Sequence, residues 1–173
     1  MSRLFRDLVS TAATSVATIL LLVLTMRILA IELGPALFGA FSVARLFIGM
    51  VEPVATVGIG IALTRYIALA ANREEQEGYL FAGTTIVVGA TSCVVAAGLG
   101  FSERISSFLF GSLGFLPVWY ATLAMMSAYS IFIVLYSWYR GIGSMHIANA
   151  WQLVAVAIAP FLIALWLGGS KSP

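Results

Sequence analysis

Five apolar runs, at residues 8–31, 38–61, 79–101, 115–136 and 147–167, constrain this chain more than any other feature. Each holds about the 20 residues that a helix needs to cross roughly 30 Å of hydrocarbon. None alternates with period 2 over about 10 residues, as a membrane strand does. Every backbone N–H and C=O in hydrocarbon needs a partner, so the runs predict helices. Only 9% of the residues are charged and 61% are hydrophobic; a soluble domain keeps about a quarter charged. The expectation is an all-α integral membrane protein with about five transmembrane helices in a single bundle over residues 1–173.

The same composition excludes several functions. A net charge of +2 without a basic cluster gives no footprint for nucleic acid. One cysteine, Cys93, and one histidine, His146, leave no set of metal ligands. Nothing resembles a phosphate loop or a nucleophile elbow, so neither a cofactor nor an enzymatic reaction is expected. Arg3 and Arg6 precede the first run, which is longer than the apolar core of a signal peptide; it reads as a retained helix.

Positive charge sets the orientation. With the N-terminus inside, Arg3, Arg6, Arg65, Arg73 and Arg140 fall in the cytoplasm, against Arg104 and Lys171 outside. This predicts a multi-pass protein of the cytoplasmic membrane with a cytoplasmic N-terminus. Residues 62–78 carry Arg65, Arg73, Glu74, Glu75 and Glu77 and read as a linker that continues as a surface helix. Ser102 is an expected N-cap for an interfacial segment carrying Ile105, Phe108 and Leu109. Gly89, Cys93 and Ala97 make a small-residue ridge suited to helix packing, and Pro160 is expected to bend the last helix.

Polar residues inside the runs mark a candidate substrate path. On the first helix Thr11, Thr14, Ser15, Thr18 and Thr25 share an arc of about 100°. Such a stripe either bonds a neighbouring helix or walls a hydrated cavity. On the second, Ser42, Arg45, Gly49, Glu52 and Thr56 share about 80°. Ionisable groups are costly in lipid and belong toward a bundle interior or water. Arg45 could also snorkel to the headgroups, and Glu52 could be protonated or paired with another helix. Pro53 is expected to open the helix beside Glu52. The path residues are therefore Arg45, Glu52, Ser42, Thr56, Thr18 and Thr25.

"LGPALFGAFSVA" (residues 33–44) and "VGIGIALTRYIA" (residues 57–68) resemble the first two helices of oligosaccharide flippases. These form the polysaccharide-export, O-antigen type branch of the multidrug/oligosaccharidyl-lipid/polysaccharide exporter superfamily. Gly34, Pro35, Phe38 and Gly39 match the family's turn, and Gly58, Gly60 and Arg65 match its second stretch. The resemblance covers roughly residues 1–140. It implies translocation of lipid-diphosphate-linked oligosaccharide across the cytoplasmic membrane by alternating access, in exchange for a coupling ion, Na+ or H+. Arg45 would be the counter-charge to a diphosphate or an acidic sugar. Family members have twelve to fourteen helices, so five imply part of the N-terminal bundle. Either the gene is truncated or a second chain completes the bundle. Alternatives are a drug/cation antiporter of the same superfamily and a small scaffold subunit without transport.

Overall fold

The structure is a computed structural model and describes residues 3–169; Lys171 lies outside them, as do the side chains of Arg3, Arg6 and Asp7. Every regular element among the described residues is helical. In order these are α1 (Arg3–Ala55), α2 (Ile59–Leu69), α3 (Arg73–Gly100), α4 (Ser102–Phe110), a 3-10 turn (Leu113–Phe115), α5 (Leu116–Gly141), α6 (Met145–Gln152), a π-helical stretch (Leu153–Ile158) and α7 (Ala159–Gly169). Four stretches are long and apolar enough to cross a membrane: Leu8–Ala55, Arg73–Gly100, Leu113–Gly141 and Met145–Leu167. The protein is thus a multi-pass helical membrane protein.

The 53 residues of α1 would measure about 80 Å as one helix, more than twice the hydrocarbon thickness. The helix is interrupted at Gly34, whose φ of 69° and ψ of 173° lie outside the helical region. Only glycine takes that conformation cheaply. Pro35 follows in the first turn after the break, where its missing N–H breaks no helical bond. The loop expected between residues 31 and 38 is thus reduced to one non-helical residue.

The chain divides into two compact units, Met1–Phe38 with Gly143–Pro173, and Gly39–Ile142. In the first, Asn149 Nδ2 donates to Thr11 Oγ1 at 3.1 Å and to Ser10 Oγ at 3.4 Å. From that anchor the buried residues run Thr18 and Thr25 on α1, and Ala157 and Ala164 on the last helix. Were the two helices antiparallel, the last would run past the N-terminus of α1 and leave Ala157 and Ala164 without a neighbour. They are therefore parallel, and Thr11, Thr18 and Thr25 are a heptad seam.

Opposite that seam the steps differ, eight residues from Asn149 to Ala157 and seven from Ala157 to Ala164. The π-helical stretch begins in the longer step and runs just past its end, where Ala159 N–H bonds the Val154 carbonyl, five residues back. A π-bulge takes up one extra residue and restores the facing. Pro160 stands just beyond it. Proline lacks an N–H, and its ring crowds the carbonyl four residues back. A widened turn is the distortion found where the bend was expected.

In the second unit, residues 39–55 of α1, then α2, α3 and α5, pack into a bundle capped by α4. Ile48, Ala55, Trp119, Leu123 and Met126 form one core cluster, and Leu63, Ile67, Val87 and Val134 another. Glycines set the close approaches. A Cβ on Gly98 would lie 2.8 Å from Leu123 Cδ2, and one on Gly83 2.9 Å from Leu63 Cδ1. The packing face of α3 is therefore Gly83, Val87, Thr91 and Gly98. The ridge read from the sequence is on the other side: Gly89, Cys93 and Ala97 are exposed. Small size alone did not distinguish two glycine-bearing faces.

Two further expectations are corrected. Residues 62–69 are bundle, not linker: Leu63 and Ile67 are 3% and 0% exposed. The polar connection shrinks to residues 70–72, closed by Asn72, whose side chain accepts from Glu75 N–H while Glu75 Oε2 accepts from Ala71 N–H. Ser102 opens α4 as its first residue rather than capping it. On α4, Ile105 and Leu109 pack inward and Phe108 is exposed.

Candidate functional site

The second apolar run, expected as one helix over 38–61, is broken. Residues 56–58 separate α1 from α2, and Val57 and Gly58 both take positive φ, 54° and 60°. Two successive left-handed residues stop a right-handed helix, and a β-branched side chain there is strained. Pro53 itself stays within the helix, which runs on to Ala55, so the opening expected beside Glu52 falls after the proline, at residues 56–58.

Helix α5 serves as a ruler for where the break lies. Phe47 packs edge-on against Trp119 near the start of α5, with ring centroids 5.1 Å apart. Ala55 shares a cluster with Met126, while Gly60 faces Ile133 and Ser137. Ile67 lies against Gly141 at the far end. The two pieces thus run end to end along α5, with the break about halfway.

A helix end in an apolar bundle leaves four carbonyls without intrahelical partners. Here each is satisfied. The Glu52 carbonyl accepts from Thr56 N–H at 2.9 Å, Pro53 from Gly58 N–H at 3.0 Å, and Val54 from Val57 N–H at 3.1 Å. The last, Ala55, accepts from the hydroxyl of Thr91 on α3 at 3.2 Å. Thr64 Oγ1 donates within α2 to the Gly60 carbonyl at 2.9 Å or across to the Ser137 carbonyl of α5 at 3.3 Å. The break is closed locally and fastened to α3.

Glu52 and Thr56 meet at this break. Glu52 is half-buried and Thr56 is 2% exposed. Thr56 Oγ1 lies 3.0 Å from the Glu52 carbonyl and 3.2 Å from Glu52 Oε1. A hydroxyl has one hydrogen to give, so it serves the backbone or the carboxylate. A protonated Glu52 can instead donate to Thr56 Oγ1, freeing that hydrogen for the backbone. Tyr129, midway along α5, stands within electrostatic range of Glu52.

The other path residues are arranged differently. Along the polar stripe of this helix Ser42 and Glu52 are both half-buried, Arg45 between them is exposed, and Thr56 is buried. Thr18 and Thr25 belong to the other unit, and both are buried in its helix seam. Thr25 donates to its own helix at the Leu21 carbonyl, 2.7 Å away; Thr18 Oγ1 has no partner among the described residues. This stripe is a packing face. Thr91, which seals the break, was not singled out in the sequence. Its place on one face with Gly83, Val87 and Gly98 was the available signal. Among the described residues, no group of three or more His, Cys, Asp or Glu gathers as metal ligands.

Fold and site together define a polytopic helical membrane protein with a discontinuous helix carrying a carboxylate at its break. Family models, curated proteins and solved structures contain no match to the chain.

Proposed function

We propose that this chain belongs to a transporter that moves lipid-diphosphate-linked oligosaccharide between leaflets of the cytoplasmic membrane, with its N-terminus in the cytoplasm. The observation that carries the reading is the interrupted helix, with Glu52 and Thr56 beside the break. Discontinuous helices near the midplane, flanked by polar groups, are a recurrent construction in secondary transporters. The Gly34-Pro35 break and the Gly58, Gly60 and Arg65 stretch, on which the flippase resemblance rests, support it independently.

In this reading Arg45 attracts the diphosphate, and Ser42 lies one turn along the same stripe. Glu52 exchanges the coupling ion. A proton suits it better than Na+, because the Thr56 hydroxyl can reverse its donor role when Glu52 is protonated. Alternating access needs a second bundle, which another chain or a longer form of this one supplies.

The test uses native membrane vesicles from cells with and without the protein, loaded with a headgroup-fluorescent polyprenyl-diphosphate oligosaccharide, with a membrane-impermeant quencher. Quencher-accessible substrate should move faster than in vesicles lacking the protein. Arg45→Ala should slow it at equal protein level, and Glu52→Gln should remove its dependence on a pH gradient. Movement no faster than in vesicles lacking the protein would defeat the proposal.

A further inference from the structure

Arg65 and Arg140 come to one height where α2 and α5 end, far from the break. The two helices run in the same direction, since Gly60 meets Ile133 and Ser137 while Ile67 meets Gly141. Their contact is close at this end. A Cβ on Gly141 would lie 3.2 Å from the Thr64 carbonyl, and Thr64 Oγ1 is 3.3 Å from the Ser137 carbonyl. Thr64 thus stands level with residues 137–141, and Arg65, the next residue, stands level with Arg140.

Both arginines also fall on one side of the helix pair, at about 100° per residue. On α2, Gly60, Thr64 and Ile67 face α5, while Leu63 and Tyr66 meet Gly83 and Tyr79 of α3. Arg65 takes the remaining side, about 130° from the line toward α5. On α5, Ile133, Ser137 and Gly141 face α2, and Ser127 and Ile131 mark the side toward α3. Arg140 lies about 60° from the line toward α2, on the side away from α3. For parallel helices with axes about 8–10 Å apart, these directions leave the two Cβ atoms about 9 Å apart on the same outer face. Two arginine side chains close that distance from both ends.

The charges there are uncompensated. Both arginines are exposed, and among the described residues neither has a carboxylate partner. Nearby acids are engaged on α3: Glu77 pairs with Arg73, and Glu75 accepts from Ala71 N–H and the Tyr79 hydroxyl. Arg140 is held in place. Its Nη1 donates to the Tyr136 hydroxyl at 3.1 Å, and its Cζ stands 5.4 Å from the centre of that ring. Tyr136 in turn stacks on Phe132, with centroids 5.6 Å apart. One edge of the guanidinium is thereby fixed and the other left for an anion.

The depth selects the anion. The stretch Leu113–Gly141 has 29 residues, about 43 Å as helix against about 30 Å of hydrocarbon. Its last turn therefore reaches the headgroups, where Trp138 and Tyr139 suit an interfacial belt. Guanidinium pairs bind phosphate oxygens in charge-assisted bonds, and basic sites between spanning helices take acidic lipid headgroups.

We infer that Arg65 and Arg140 clamp the phosphate of one anionic phospholipid at this surface of the membrane. The inference does not depend on the flippase reading.

Native mass spectrometry of the whole chain, released from detergent micelles with equimolar phosphatidylglycerol and phosphatidylcholine, counts the lipid retained. One phosphatidylglycerol should be kept in about tenfold preference, and Arg65→Gln or Arg140→Gln should each lower that preference about fivefold. The double variant should lose less than about twofold more, because one phosphate needs both groups. Arg104→Gln, on α4 at the opposite end of α3, should leave the preference intact. Single losses that multiply in the double variant, or an equal loss in Arg104→Gln, would mean diffuse surface charge and overturn the clamp. So would a preference that survives both single variants. Displacement of the lipid by inorganic phosphate would make this a site for free phosphate and overturn the lipid assignment.

Discussion

Thr91→Val tests whether the broken helix is held by its hydrogen bonds. Valine nearly matches threonine in shape, so no cavity forms; what disappears is the donor to the Ala55 carbonyl. Ala55 is 0% exposed and Thr91 7%, so water cannot replace the donor. An unsatisfied buried acceptor costs about 1–3 kcal/mol. Interhelical bonds in membrane bundles average only about 0.6 kcal/mol, because the unfolded chain in the membrane also finds partners. The Ala55 carbonyl belongs above that average: it ends a helix whose next residues turn left-handed, so no following N–H can take it. The expected loss is about 1–2 kcal/mol. Thr85→Val is the control, since the Thr85 hydroxyl only adds a second bond, at 2.9 Å, to the Phe81 carbonyl within α3. Unfolding in dodecylmaltoside–dodecylsulfate mixed micelles, followed by tryptophan fluorescence, measures both variants. If Thr91→Val falls with Thr85→Val, within about 0.3 kcal/mol of the parent, the break is not held in this way and the bond accounting is wrong.

Two more perturbations follow from the geometry. Gly141→Ala would set a Cβ 2.6 Å from Ile67 Cγ2, 2.7 Å from Ile67 Cβ and 3.2 Å from the Thr64 carbonyl. It should cost about 2–3 kcal/mol in the same unfolding assay, more than Gly98→Ala, whose Cβ would meet only side-chain ends, Leu123 Cδ2 at 2.8 Å and Trp119 Cζ2 at 3.1 Å, rather than a Cβ and a backbone carbonyl. Equal costs would refute that distinction. Val57→Gly removes a branched side chain from a left-handed position and should stabilise the fold by about 1 kcal/mol; a loss would show that the exposed Val57 side chain contributes packing that outweighs its strain.

Much of the architecture was legible because it depends on patterns that hydrocarbon enforces. Apolar runs of about 20 residues gave a multi-pass helical protein, in which four stretches are long and apolar enough to span, and Gly34-Pro35 marked an interruption. What escaped was decided by contacts between segments. Charges at Arg65 and Arg73 made residues 62–78 read as one polar linker, although Leu63, Ile67 and Gly60 in that neighbourhood are packing positions. A composition window averages over the two faces of a helix and cannot see that Arg65 and Leu63 point different ways. The break at residues 56–58 was equally hidden: Pro53 was visible, but a left-handed valine has no sequence signature. Glu52 and Thr56, four residues apart, were correctly placed on one arc. Thr18 and Thr25 lay on a true arc as well, whose neighbour turned out to be the last helix of their own unit.

The π-helical stretch implies something about sequence length. The last helix carries one residue more between Asn149 and Ala157 than its partner carries between Thr11 and Thr18, and the widened turn stores that surplus. Deleting a single residue from 153–158 would return the segment to ordinary helix without rotating Ala164 away from its neighbour. A deletion in 161–167 has no such reserve: everything beyond it would turn by about 100°. The helix should tolerate shortening at one address and not at the other, which makes the bulge the place where this chain can change length while keeping its register.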